Sequence, residues 1–212
     1  MQRDGTSESS FLESERYKKK VEELLKQRQI MLIMISNDIV IRISHAKKRY
    51  CEYCALRERY MALSDDERIA FSKSSVESML AEEIVYHVRK AVDEMIYSLW
   101  IKKIGISKID NTKVEKIDSI GEYLKQSRNK NPQMTEFDEY MDYFDQINKV
   151  SNSYKHSLNM FSHFATDLSH EDQPKYFTYT ISDEDAKREA SVGQTNLIIE
   201  LESLFDWYLT LI

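Results

Sequence analysis

Asp145-Gln-Ile-Asn-Lys-Val-Ser-Asn-Ser-Tyr-Lys-His-Ser-Leu-Asn-Met-Phe-Ser-His163 is the stretch on which the architecture turns. Extended upstream to Phe137, its apolar residues fall at Phe137, Tyr140 with Met141, Phe144, Ile147, Tyr154, Leu158, Phe161 and Ala165. Steps of three and four residues mark the buried stripe of an α-helix. A second stripe at the same spacing, Asp145, Lys149, Asn152, His156, Asn159 and His163, is wholly polar. The expectation is one long helix with one face in a core. Another face lines up imidazole, amide, amine and carboxylate groups, which makes it the first candidate site.

The flanking sequence reads the same way. Only four Gly and two Pro punctuate 212 residues, too few for a turn-rich β architecture. Residues 1–10 are small and polar and are expected to form a disordered leader, with residues 11–212 as a single helical domain. From about Ser14 one long helix, or two in near line, runs through Val21, Leu24, Leu25 and the apolar run Ile30–Ile35 to Met61. Ser64-Asp-Asp-Glu67 is a capping-box pattern opening a short helix to about Lys73. A further helix from near Ser75 carries Leu80, Ile84, Val88 with Ala91, Met95 and Leu99 on one face and ends at Gly105. Thr112-Lys-Val-Glu115 repeats the capping box ahead of Ile117, Ile120 and Leu124. Asn129 to Gln133, with Pro132, is a loop, and Thr135-Glu-Phe-Asp138 caps the central helix.

Lys175-Tyr-Phe-Thr-Tyr-Thr-Ile181 is β-branched and aromatic and reads as a strand. It needs a partner, in an adjoining loop or in a second subunit. Ser182-Asp-Glu-Asp185 starts the last helix, whose Leu197, Leu201, Leu204, Tyr208 and Leu211 repeat at the spacing of a helix-on-helix seam. The fold class is therefore all-α: a multi-helix bundle of about five or six helices with one short β segment before the C-terminal helix.

Several function classes are disfavoured by composition and spacing. A net charge of −6 does not suit a protein that coats nucleic acid, because the phosphate backbone rewards a broad positive surface. The longest apolar run, Ile30–Ile35, falls well short of the roughly 20 residues a membrane span requires. With no targeting segment in view, the expected location is cytoplasmic, with both cysteines reduced. Cys51-Glu-Tyr-Cys54 lies deep in a helical run. It lacks both the strand-to-helix context of a redox pair and further zinc ligands, so it reads as two buried small side chains. His156 and His163 lie about 10.5 Å apart along a helix, too far for one zinc ion that holds each nitrogen at about 2.0–2.1 Å. Glu83 and His87 have one-turn spacing but no further convergent ligand. No metal site and no cofactor loop is expected. The run from Arg42 to Tyr60 sets Arg42, His45, Lys47, Lys48, Arg49, Arg57 and Arg59 beside Tyr50, Tyr53 and Tyr60. Such a pattern either holds a phosphate backbone and stacks bases or covers apolar neighbours with long side-chain stems.

Ser151-Asn152-Ser153-Tyr154-Lys155-His156 resembles the site hexapeptide of the HEPN superfamily, all-α proteins named for nucleotide binding. Its members often carry Arg, a polar residue such as Asn, three variable residues and then His. Here Asn152 and His156 match, and Ser151 stands where the Arg belongs. Glu83 to Ile96 is similar in texture to an early helix of that superfamily, so the likeness spans roughly residues 75–165. The resemblance implies a helical fold, a homodimer that brings two copies of the site together, and metal-independent RNA cleavage. Such cleavage needs a base for the 2′-hydroxyl, an acid for the leaving oxygen and a cation for the phosphorane charge. His156 would be the acid/base and Asn152 a positioning group. Lys149 or Lys155 would supply positive charge as point charges, without the bidentate fork of Arg.

Two readings of function follow. One is a HEPN-like cytoplasmic module linked to RNA or nucleotides in stress response, phage defence or toxin–antitoxin pairing, with its ribonuclease motif lacking the Arg. The other is a non-catalytic helical interaction or scaffold subunit of a larger complex. Its binding faces would lie along the first helix or at Leu197–Leu211. A homodimer is expected from the C-terminal seam and the unpartnered strand.

Overall fold

A computed structural model of the chain describes residues 6–64, 67, 73–103, 116–129, 132–156, 164–165, 175–181, 188–194 and 197–211. No side chain before Lys18 or between residues 153 and 194 is part of that description. Among the described residues there are five α-helices: α1 Thr6–Met61, α2 Lys73–Lys103, α3 Ile120–Ser127, α4 Met141–His156 and α5 Leu197–Leu211. The architecture is the expected all-α multi-helix bundle. Its β element lies before the last helix, as strands β1 Phe164–Ala165, β2 Lys175–Ile181 and β3 Arg188–Gln194.

α1 is one unbroken helix of 56 residues, about 84 Å long at 1.5 Å per residue. It begins at Thr6, inside the segment expected to be a disordered leader. Thr6 to Ser10 contains no Gly or Pro, so nothing there stops a helix already propagating from downstream. The first described side chain of α1 to be buried is Ile39; Ile43, Ala46 and Tyr53 follow it into the core. Of the earlier described side chains, Leu24, Arg28, Leu32, Ile35 and Ser36 are half-buried, Ile35 against the core, and the rest are exposed.

The hub of the bundle is α2, which packs against α1, α3, α4 and α5. The expected stripe of Ile84, Val88, Ala91, Met95 and Leu99 is buried, and so are Ala81, Val85, Val92 and Ile96 on the flanks. The solvated side of α2 is a narrow stripe of Glu82, Tyr86 and Lys90, as befits a helix with neighbours on most sides. α4 contributes Phe144, Ile147, Tyr143 and Val150, and α5 contributes Leu197, Leu201, Leu204 and Tyr208. The aromatic centre is a set of edge-to-face contacts, Tyr123 on Phe137 at 5.6 Å and on Phe144 at 5.7 Å between ring centroids, the arrangement that aromatic quadrupoles favour.

Three element boundaries differ from the sequence reading. The described helix α3 starts at Ile120, behind an N-cap at Ser119 whose extended backbone (φ −157°, ψ 161°) lets its hydroxyl accept from the Glu122 N–H. Ser119-Ile-Gly-Glu122 is itself a Ser-x-x-Glu pattern, while Thr112–Glu115 lies outside the described residues. Ile117 is buried, outside any helix rather than in the helix expected there. α4 follows a single 3₁₀ turn at Asp138–Tyr140 and is described to His156. Ala165, expected on its apolar stripe, instead pairs in β1 with Lys175, and Leu158 and Phe161 lie outside the described residues. The last helix begins at Leu197 rather than near Ser182. Arg188–Gln194 forms β3, antiparallel to β2 from Ile181↔Arg188 to Lys175↔Gln194, and Ser182–Asp185 lies outside the described residues. The reason is the same for both strands. β2 presents backbone donors and acceptors that must be paired, and segments without strong apolar periodicity supply them. The partner of the strand is therefore in this chain.

Candidate functional site

On α4 the described part of the polar stripe is more self-contained than its spacing suggests. Ser151, at the position of the motif Arg, is buried, 7 % exposed. Asn152 is half-buried on the next position of the turn. The Lys149 ammonium lies 2.6 Å from the Asp145 carboxylate one turn earlier, an (i, i+4) pair. His156 is the last described residue of the helix. Asn152 and His156 are one turn apart and so share a face. The side chains of His156 and Lys155, and all of Asn159 and His163, lie outside the described residues.

Beside this face, α2 supplies a polar junction that spacing in α4 alone did not reveal. Arg89 donates from Nη1 to the Asn148 Oδ1 at 3.0 Å, and its Nε lies 3.8 Å from Asp93. Asp93 is buried, and its Oδ1 accepts the backbone N–H of Ile120 at 2.8 Å. One guanidinium thus ties α2 to α4, and one carboxylate ties α2 to the start of α3. The sequence signal was an Arg and an Asp four residues apart among the apolar residues Val85, Val88, Val92 and Ile96, since charges in such a place are nearly always paired. Chemically the junction is saturated. Each of these cations beside the α4 face already meets a carboxylate, Lys149 on Asp145 and Arg89 on Asp93.

The basic, tyrosine-laced run of α1 is largely spent on fastening helices. Arg42 lies 3.8 Å from Glu94 and 5.6 Å above the Tyr86 ring, both on α2. Arg49 bridges Glu52 on its own helix and Glu83 on α2, and Lys47 pairs with Glu202 on α5. Tyr53 is buried and Tyr50 packs on the core, so neither ring is offered for base stacking. Lys48 and Arg59 remain exposed. Cys54 packs against the core, as expected of its small apolar side chain, but Cys51 is exposed, a correction to the reading of both as buried. Both thiols are free.

His45 and His87 stack across the α1–α2 interface with centroids 5.1 Å apart. Burial, then the nearby His45 and Arg42, pushes the His87 imidazole below the ordinary histidine pKa, while Glu83 opposes the shift. Its buried Nδ1 has no hydrogen-bond partner. With Glu83 committed to Arg49, this pair acquires no third ligand, and no group of three metal-ligating side chains occurs among the described residues. No helix among them is long and apolar enough to cross a membrane.

Comparison with known families, with curated proteins and with solved structures returns no match to this chain.

Proposed function

We propose that this is a HEPN-like helical module that engages RNA or a nucleotide at the end of α4 and works by binding rather than by cleaving. The observation behind the non-catalytic half is the state of Ser151. It is buried where the motif would place an Arg, and the neighbouring cations Lys149 and Arg89 already face carboxylates. Among the described residues, an acid/base at His156 would then act without the charge partner that stabilises a phosphorane. The binding half rests on the resemblance and on Asn152 sharing a face of α4 with His156. A role in stress response or phage defence belongs to the same proposal.

A second reading, a scaffold subunit, is favoured by the apolar side chains that α1 leaves exposed, Ile33 and Met34 at 62 % among them. The test separates the two. Fluorescence anisotropy with a labelled single-stranded RNA, across a salt series, should report binding that weakens in Asn152→Ala and His156→Ala while circular dichroism stays unchanged. Incubation with the same RNA in chelator should leave it intact. Cleavage that persists in chelator and disappears in His156→Ala overturns the non-catalytic half. Absence of binding even at low salt removes the RNA reading and leaves the scaffold.

A further inference from the structure

The core face of α1 carries Ile39, Ile43, Ala46 and Tyr53 into the bundle. At about 100° per residue, the opposite face is defined by Lys19, Glu23, Ile30, Ile41, Lys48 and Glu52. All are exposed except the half-exposed Glu52, and Ile30 and Ile41 are each 50 % exposed. Met34 and Asn37, both exposed, fill the same face between the two isoleucines. Along the helix a basic and an acidic residue precede a centre of Ile30, Met34, Asn37 and Ile41, and a basic and an acidic residue follow it. We propose that this face is the seam of a two-fold homodimer in which a second copy's α1 lies antiparallel along it.

The charge order argues for a second copy of this chain rather than for an unrelated helix. A two-fold axis passing between Ile35 and Ser36 sets Ile30 against the partner's Ile41. The same axis sets Glu23 against the partner's Lys48 and Lys19 against the partner's Glu52. Every contact occurs twice, as an isologous interface requires. A parallel pairing would set Glu23 on the partner's Glu23 and Lys48 on the partner's Lys48, and like charges at facing positions are destabilising. The overlap from Lys19 to Glu52 is roughly 50 Å of helix. It also explains why Ile30-Met-Leu-Ile-Met-Ile35 is apolar all round: one side turns toward α5 and the end of α2, where Leu25, Leu32 and Ile33 line a groove with Lys102 and Tyr208. The other side is left for the partner, since helices without a polar face are covered on all sides. The seam stands independently of the RNA reading.

Sedimentation equilibrium of the full chain at micromolar concentration should give twice the 25.1 kDa chain mass. Ile41→Glu, on a surface position away from the core, should convert it to monomer with unchanged circular dichroism. Glu23→Lys should weaken the dimer by roughly two- to thirtyfold, since an exposed ion pair contributes about 0.2–1 kcal/mol and each is present twice. Glu23→Lys with Lys48→Glu should restore the wild-type constant. A wild-type chain that stays monomeric overturns the proposal and passes the face to a partner of another kind. A dimer indifferent to Ile41→Glu, or a double reversal that recovers nothing, overturns it equally.

Discussion

Ser151 decides more than any other single residue, because its burial changes what a substitution there can do. Judged from the motif alone, Ser151→Arg would restore a missing cation and create cleavage. In the folded protein the side chain points into a closed position, 7 % exposed. The larger residue should therefore overpack α4 at a cost of about 1–3 kcal/mol. A thermal midpoint several degrees lower, with no gain in RNA cleavage, is the expected result; cleavage at an unchanged midpoint would show that the position opens to the surface. His87 supplies a second residue-scale prediction. Its folded-state pKa is depressed by burial and by His45 and Arg42, with Arg49 adding and Glu83 opposing. The unfolded chain therefore binds the proton more readily, and stability is lost as pH falls below the unfolded histidine value of about 6.5. Glu94 acts in the opposite sense at lower pH, because burial raises its carboxyl pKa and protonation there favours the folded state. The contribution of His87 is thus read as a difference. Between pH 7.5 and 5.5 the midpoint of His87→Gln should fall less than that of the wild type. Equal falls would mean that the stacked pair does not sense pH. At this scale the candidate site was half legible. The sequence picked out Asn152, His156 and Lys149 as candidates, and the four-residue spacing of Asp145 and Lys149 signals their ion pair, but spacing could not show that Arg89 reaches Asn148 from another helix.

At the scale of elements, apolar periodicity located α1, α2, α4 and α5, because each must bury a stripe and the stripe repeats at the helical period. Boundaries were less legible, since they depend on which groups satisfy the ends. Two Ser/Thr-x-x-Glu patterns precede Leu124, at Thr112 and Ser119, and the cap described in the fold is Ser119. The β3 strand was illegible because its pairing energy comes from β2, not from its own composition. The junction after α3 is held by Gln126, which is buried. Its Nε2 donates to Met134 O at 2.7 Å, and its Oε1 accepts from the N–H of Gln133 at 2.8 Å and of Met134 at 3.3 Å. Gln126→Ala orphans those buried backbone groups and should cost about 1–3 kcal/mol. Ser119→Ala removes one long capping bond of 3.4 Å and should cost about 0.5 kcal/mol, the low end for a cap. Chemical denaturation of the two variants should preserve that ranking. A reversed order would place the strength of α3 in its cap rather than in its clasp.

At the scale of the whole molecule, the protein is a bundle organised on α2 with a helix that outruns it. The strand's partner and the C-terminal seam, which together argued for a second subunit, are both satisfied within the chain: β2 pairs with β3, and Leu197, Leu201, Leu204 and Tyr208 are buried in the bundle. Of the large apolar side chains left exposed, α1 carries Leu25, Ile30, Met31, Ile33, Met34, Val40 and Ile41, more than α2 (Val76, Met79, Tyr86) or α5 (Ile199, Leu209). The same geometry predicts that the start of α1 is dispensable to the bundle, because no described side chain before Ile39 is buried. A chain beginning at Leu24, made in the Ile41→Glu background so that self-association does not enter, should lose helical circular dichroism. Its urea m-value should stay within the roughly 10–15 % error of extrapolation, since m scales with the surface exposed on unfolding and the removed turns bury little. Its thermal midpoint should move by less than about 4 °C, the shift that corresponds to roughly 1 kcal/mol in a chain of this size. A clear fall in m would instead mean that those first turns fold against the bundle and that α1 is a cooperative part of the core along its whole length.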